Sequence, residues 1–217
     1  MQATEQTPGT VQLSQASRLS DEWMASGKGP HRAFFDFPSH RQGLPLLHIY
    51  NYFSNYRIAL GIGSEPVCAF GTFYGIGPQS SISMAFNDAM WAKLRLGAYT
   101  GLKDAAGQLY TRNVFNRPRR DDLHLLMQAM RVPVLPMFTE VMPSIGIEEL
   151  QKMGTTFLLC SNALSGWCAE LAANNMGEAA ALEDELRANV LPGVIIVPAM
   201  VMAIDQALRA GMTYKRQ

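Results

Sequence analysis

The alternation of apolar and polar positions changes character near residue 31. Before it, residues 1–30 are rich in Gln, Ser, Thr and Gly and poor in β-branched and aromatic side chains. The exception is 13–24, whose spacing suits a short amphipathic helix with Trp23 docked on the body. This stretch reads as an N-terminal arm ahead of a single domain over 31–217. From residue 31, AFFDF predicts a short strand, 38–43 a turn, and LPLLHIY (44–50) a core strand ended by Asn51. YFSNYRIALG then reads as a helix of about three turns, stopped by Gly61 and Gly63. PVCAFGTFY (66–74) supplies the next core strand and GIGP the turn that follows. Strand, helix and strand without a tight hairpin signal describe a parallel βαβ unit.

Helical spacing resumes over 80–96, where Ile82, Ala85, Phe86, Ala89, Met90 and Ala92 share a face and Ser80 or Ser81 serves as cap. Residues 97–122 then lose periodicity, too long for an ordinary connection, and read as a loop insertion with a functional or assembly role. Asp121 or Asp122 caps a helix over 123–130, and the two prolines of VPVLPMF exclude a central strand there. A short helix over 144–153, stopped by Gly154, delivers the chain into the apolar strand TTFLLC. Helices over 162–174 and 178–188, the strand GVIIV (193–197) and a helix over 199–210 complete the pattern. Near-continuous apolar strands separated by helices predict an α/β fold with a mainly parallel sheet of four to six strands between helical layers.

Composition narrows the partners. In 217 residues, 18 basic and 18 acidic side chains cancel, so no global field favours nucleic acid or an anionic membrane. Three cysteines, Cys68, Cys160 and Cys168, are too few for a disulfide framework, and no CxxC pair is present. No apolar run reaches the roughly 18 residues of a membrane-spanning helix, which predicts a soluble protein. Residues 1–30 hold neither an apolar signal core nor adjacent arginines, so the chain as given is expected in the cytoplasm, or in the periplasm if an export signal has been removed ahead of it.

Two stretches near the C-terminus carry a family resemblance. FLLCSNAL and VLPGVIIVPAMVMAIDQALRAGMTY are similar to the closing half of the DsrE-like sulfur-relay superfamily, matching at Cys160, Asn162, Pro192, Gly193, Val194, Val197, Pro198, Val201, Gly211 and Tyr214. LLHIYNYFSNYRIALG and EPVCAFGTFYG resemble its opening strand, helix and strand. The segments FDFPSH, HIYNY, FNDAMWAKLRLG and TRNVF, in that order, resemble mostly uncharacterised bacterial members that often carry twin-arginine export signals. The resemblance spans roughly residues 31–214. It implies a three-layer α/β/α sandwich, a homo-oligomer (trimer or hexamer), and a cysteine that carries persulfide, with Cys160 at the matching position.

Candidate chemistry gathers at the predicted carboxyl ends of the strands, where open α/β sheets meet their ligands. Cys160 ends one strand just before a helix, and a helix N-terminus favours the thiolate form of a cysteine. His48 and Asn51, at the end of the predicted strand 44–50, are expected on the same edge, His48 as base or partner of the thiol. Asn87, Asp88 and Trp91 on one helix, Arg112 and Asn113 from the insertion and Asn162 beside the cysteine complete a set for a small-molecule ligand. The first expectation is a small-molecule or sulfur-handling site around Cys160 and His48. The alternatives are a non-thiol acid/base or binding site using His48, Asn51, Asp88 and Arg112, or an assembly protein without catalysis. GIGP lacks the spacing and lysine of a phosphate loop. Neither cofactor nor metal is indicated, because His31, Asp36, His40 and His48 match no ligand spacing. Arg117, Arg119 and Arg120 read as solvated and paired with Asp121 and Asp122.

Overall fold

The computed structural model describes residues 22–62 and 67–217. Strands β1 (His31–Asp36), β2 (Val67–Phe73), β3 (Thr155–Cys160), β4 (Val194–Val197) and β5 (Thr213–Arg216) make one sheet in the order β4-β3-β2-β1-β5. Every pairing is parallel. Helix α1 (Glu22–Ala25) precedes β1, and α2 (Leu44–Leu60) joins β1 to β2. Between β2 and β3 lie α3 (Asp88–Lys93), α4 (Leu96–Thr100), α5 (Leu123–Met130) and α6 (Ile147–Met153). Helices α7 (Ser161–Ala173) and α8 (Ala179–Ala188) join β3 to β4, and α9 (Met200–Arg209) joins β4 to β5.

Strand order decides which face each helix covers. Crossovers between parallel strands are right-handed. From β1 to β4 the chain steps always in one direction, so those crossovers fall on one face. There Ala33, Phe35, Val67, Ala69, Phe73, Phe157 and Leu159 meet side chains of α2, α3, α6, α7 and α8 in the largest core. The step from β4 to β5 runs back across the sheet, so α9 must lie on the opposite face. Phe34, Phe70, Leu158 and Val197 meet Met200, Ala203 and Ala207 there, with Trp23 beside them. The result is a three-layer α/β/α sandwich, as the apolar pattern predicts.

The largest departure from expectation concerns residues 44–50, which open α2 instead of forming a strand. Gly43 at φ 92 sets the helix start, and Pro45 falls in its first turn, where a missing N–H costs nothing. Leu46, Ile49 and Phe53 recur at helical spacing and pack on the sheet, while Leu44 and Leu47 enter a satellite core with Leu123, Leu126 and Met127. The strand in this region is β1, the HRAFFD segment. The helix expected over 80–96 is broken in three. A 3-10 turn, Ser81–Ala85, gives way to extended Phe86 and Asn87, and Asn87 caps α3 by accepting the Met90 N–H at 3.1 Å. Residues 97–122 begin with α4 and otherwise lack regular structure up to the turn Arg120–Asp122. β5 was not expected at all. The arm residues 1–21 lie outside the described residues, whereas Trp23 is buried against Phe34 and Phe70, as its docking requires.

Candidate functional site

In an open α/β sheet the ligand crevice forms where two neighbouring strands send their chains to opposite faces. Here β3 passes into α7 on the crowded face, and adjacent β4 passes into α9 on the other. Cys160 is the last residue of β3 and pairs with Val197, the last of β4. Its Sγ accepts the amide N–H of Ala163, in the first turn of α7, at 3.4 Å. It also accepts the amide N–H of Met200, the first residue of α9, at 3.3 Å. One sulfur therefore caps two helices.

Helix-start amides have no partner within their own helix, and Ser, Thr, Asp or Asn ordinarily satisfies them. A neutral thiol is a weak acceptor, so two converging amides and two helix dipoles make this position complementary to sulfur carrying negative charge. Cys160 is 5% exposed. The Asn162 N–H donates to the Pro198 carbonyl at 3.2 Å, tying the two helix entries together beside it.

The other thiols are remote or chemically quiet. Ala69 pairs with Thr155, so Cys68 lies level with Gly154, six positions before Cys160 or about 20 Å along the strand. Cys168 belongs to the core of the opposite face. All three are free, and no second thiol sits where a disulfide with Cys160 could close. Burial pushes the Cys68 thiol up and the Cys168 thiol up to about 11.

On the same face as Cys160, two strands away, the carboxyl end of β1 carries Asp36, wholly buried. Its carboxylate accepts the Tyr74 hydroxyl at 2.7 Å and the Tyr214 hydroxyl at 2.5 Å, and is ion-paired with Arg216, which lies on the same rung. Burial and the adjacent carboxylate push both tyrosine hydroxyls above their ordinary range, so they remain donors. The Asp36 hydrogen bond holds the Arg216 guanidinium firmly charged. Tyr74 also packs against the apolar cluster that contains Cys160. The sequence pattern left a signal for this group: Asp36 is the one carboxylate in β1 and follows the apolar run Ala33, Phe34 and Phe35.

The remaining expected site residues are dispersed. His48 and Asn51 belong to α2, across the sheet from Cys160, because their segment is helical. The His48 Nδ1–H donates to the Gln217 side-chain carbonyl, and exposed Asn51 offers its backbone carbonyl to Asn55 at 2.7 Å. Asp88 accepts the Asn113 N–H at 2.8 Å, and the Asn113 side-chain amide donates to the carbonyls of Met84 and Phe86. The Trp91 indole is buried and donates to the Ser83 carbonyl at 3.0 Å. Arg112 is paired with Asp122 at 2.5 Å. Asp88 and Asn113 thus pin the insertion to the segment 84–88, Arg112 ties it to its own end at Asp122, and none of Asn87, Asp88, Trp91, Arg112 and Asn113 approaches Cys160. Asn162 alone stays beside it. The basic run also pairs differently from expectation: Arg117 with Glu148 and Arg120 with Glu140, while the Arg119 amide donates to Asp122.

Among the described residues, no group of three or more His, Cys, Asp or Glu side chains is placed to hold a metal ion, and no helix is long and apolar enough to cross a membrane. No family model, curated protein or solved structure matches the chain.

Proposed function

We propose that the protein handles sulfur through Cys160, taking a sulfane sulfur from a small-molecule or protein persulfide and holding it as a cysteine persulfide. The observation that carries this reading is the double helix-start cap on Sγ at the β3/β4 switch point. The Cys160 thiolate attacks the terminal sulfur of a donor R–S–SH. A new S–S bond forms, the donor S–S bond breaks, and R–S⁻ leaves. No net oxidation occurs, and the two amides face Sγ while it carries the charge as the attacking thiolate. Similarity of FLLCSNAL to the sulfur-relay superfamily supports the same assignment. Since neither Cys68 nor Cys168 is within reach, the sulfur leaves to an acceptor outside this protomer and not to a resolving thiol of its own.

Exposure of the purified protein to a low-molecular-weight persulfide, followed by intact-mass analysis, tests this directly. One added sulfur atom, released by dithiothreitol and missing from Cys160→Ser, is expected. Uptake that persists in Cys160→Ser, or none in the unmodified chain, sinks the proposal.

A further inference from the structure

We infer that the concavity between the start of α2 and the end of α5 is a binding site for a small oxyanion, distinct from Cys160. It has a volume of about 770 Å³ and is lined by Arg41, Gln42, Leu44 and His48 from one side and by residues 128–131, ending in Arg131, from the other. No carboxylate lines it.

Three of the five described non-glycine residues at positive φ line it, the other two being Arg95 and Asn175. Arg41, Gln42 and Arg131 stand at φ 36°, 52° and 57°, in the left-handed region that side chains other than glycine enter at a cost. Glycine occupies such positions elsewhere in this chain, at Gly43, Gly61, Gly101 and Gly154 among others. At these three a large polar side chain is kept instead. A structural use would offset that cost, yet none of the three side chains has a hydrogen-bond or ion-pair partner among the described residues. Arg112, Arg117, Arg120, Arg187 and Arg209 are ion-paired, whereas Arg57 and Arg95, like Arg41 and Arg131, have no ion pair among the described residues. Arg131 takes this conformation as the cap that closes α5, so it is the unpaired side chains, more than the backbone, that mark the position.

The chemistry of the lining fixes the ligand class. Two guanidinium groups without counterions among the described residues present forked donors suited to phosphate, sulfate or carboxylate oxygens. Gln42 and Gln128 add amide donors at the rim. At the end of α5 the Arg131 and Val132 amides cap the carbonyls of Gln128 and Met127 at 3.1 Å each, which leaves the two arginines to outweigh the negative end of this short helix. The volume suits a small organic phosphate or carboxylate, within the roughly 300–1,000 Å³ usual for such sites.

Replacing both arginines by glycine separates binding from architecture, since Arg41→Gly with Arg131→Gly removes the charges and relieves the backbone. Thermal melts of the full chain would be recorded with inorganic phosphate, sulfate and acetate as probes. At least one should raise the Tm of the unmodified protein at millimolar concentration. The glycine pair should melt no lower than the unmodified protein in anion-free buffer and bind that probe at least about tenfold more weakly. Arg41→Gln with Arg131→Gln, which keeps the side-chain stems, should lose the protection too. Indifference of the unmodified protein to all three anions, undiminished protection in the glutamine pair, or a lowered anion-free Tm in the glycine pair would overturn the site. Cys160→Ser leaves this binding unchanged, so the two sites stand or fall separately.

Discussion

His40 shows how one buried side chain writes a pH dependence into the fold. Its ring is fully covered, donates from Nε2 to the Pro78 carbonyl at 3.2 Å, and accepts the Gln42 N–H at Nδ1 at 3.1 Å. That pattern suits the neutral imidazole alone, and burial lowers its pKa from 6.5 to about 4. Between those values the unfolded chain binds a proton that the folded chain refuses, so stability present above pH 6.5 is lost as pH falls toward 4. The contribution at stake is up to about 3 kcal/mol. Melts from neutral pH down to the folded value should show this slope, and His40→Gln should flatten it. Cys160 is the contrasting residue. Its place at a strand end before a helix is legible in FLLCSNAL, but its second cap arrives from Met200, forty positions away in sequence, and only the return of α9 across the sheet brings it.

Among the elements, β5 illustrates why part of the candidate site stayed out of sight. TYKR is four residues long, largely exposed and charged, as befits an edge strand that must not recruit another chain, and so lacks the apolar run by which strands are recognised. What fixes it beside β1 is the buried Asp36 carboxylate, which gathers Tyr214 and Arg216 from β5 and Tyr74 from the end of β2. Asp36→Asn should therefore cost about 3 kcal/mol, because an amide cannot accept from all three donors. Amide exchange should rise over β5 while β2 and β3 stay protected, and protection of β5 equal to that of the unmodified chain would contradict the assignment. LPLLHIY, by contrast, suits a strand as well as a helix, because seven apolar-rich residues fit either element. Pro45 at the helix start and the Leu46, Ile49, Phe53 spacing held the correct answer, and with it the removal of His48 and Asn51 from the neighbourhood of Cys160.

At the scale of the whole molecule the two faces of the sheet are unequally covered, and the inequality follows from strand order. Three crossovers' worth of chain between β1 and β4 leaves one face thickly packed, while the single return from β4 to β5 contributes α9, ten residues long, to the other. Trp23 closes the gap. It is 1% exposed, with Phe70 and Phe34 set edge to face at 5.1 and 6.1 Å, although it lies in a region of sequence otherwise read as an arm. Among the described residues its indole N–H is buried without a partner, so its contribution is packing alone. Trp23→Ala should then cost about 3–5 kcal/mol, roughly 10 °C in Tm, and expose the Phe34 and Phe70 faces to an apolar dye. Trp23→Phe should recover most of that loss, because it keeps the aromatic contacts and removes the unpaired donor. Truncation of Val201, 75% exposed on the outer side of α9, should shift stability by no more than about 0.5 kcal/mol. A Trp23→Ala protein as stable as the unmodified chain would mean that the thin face is sealed by something other than this side chain.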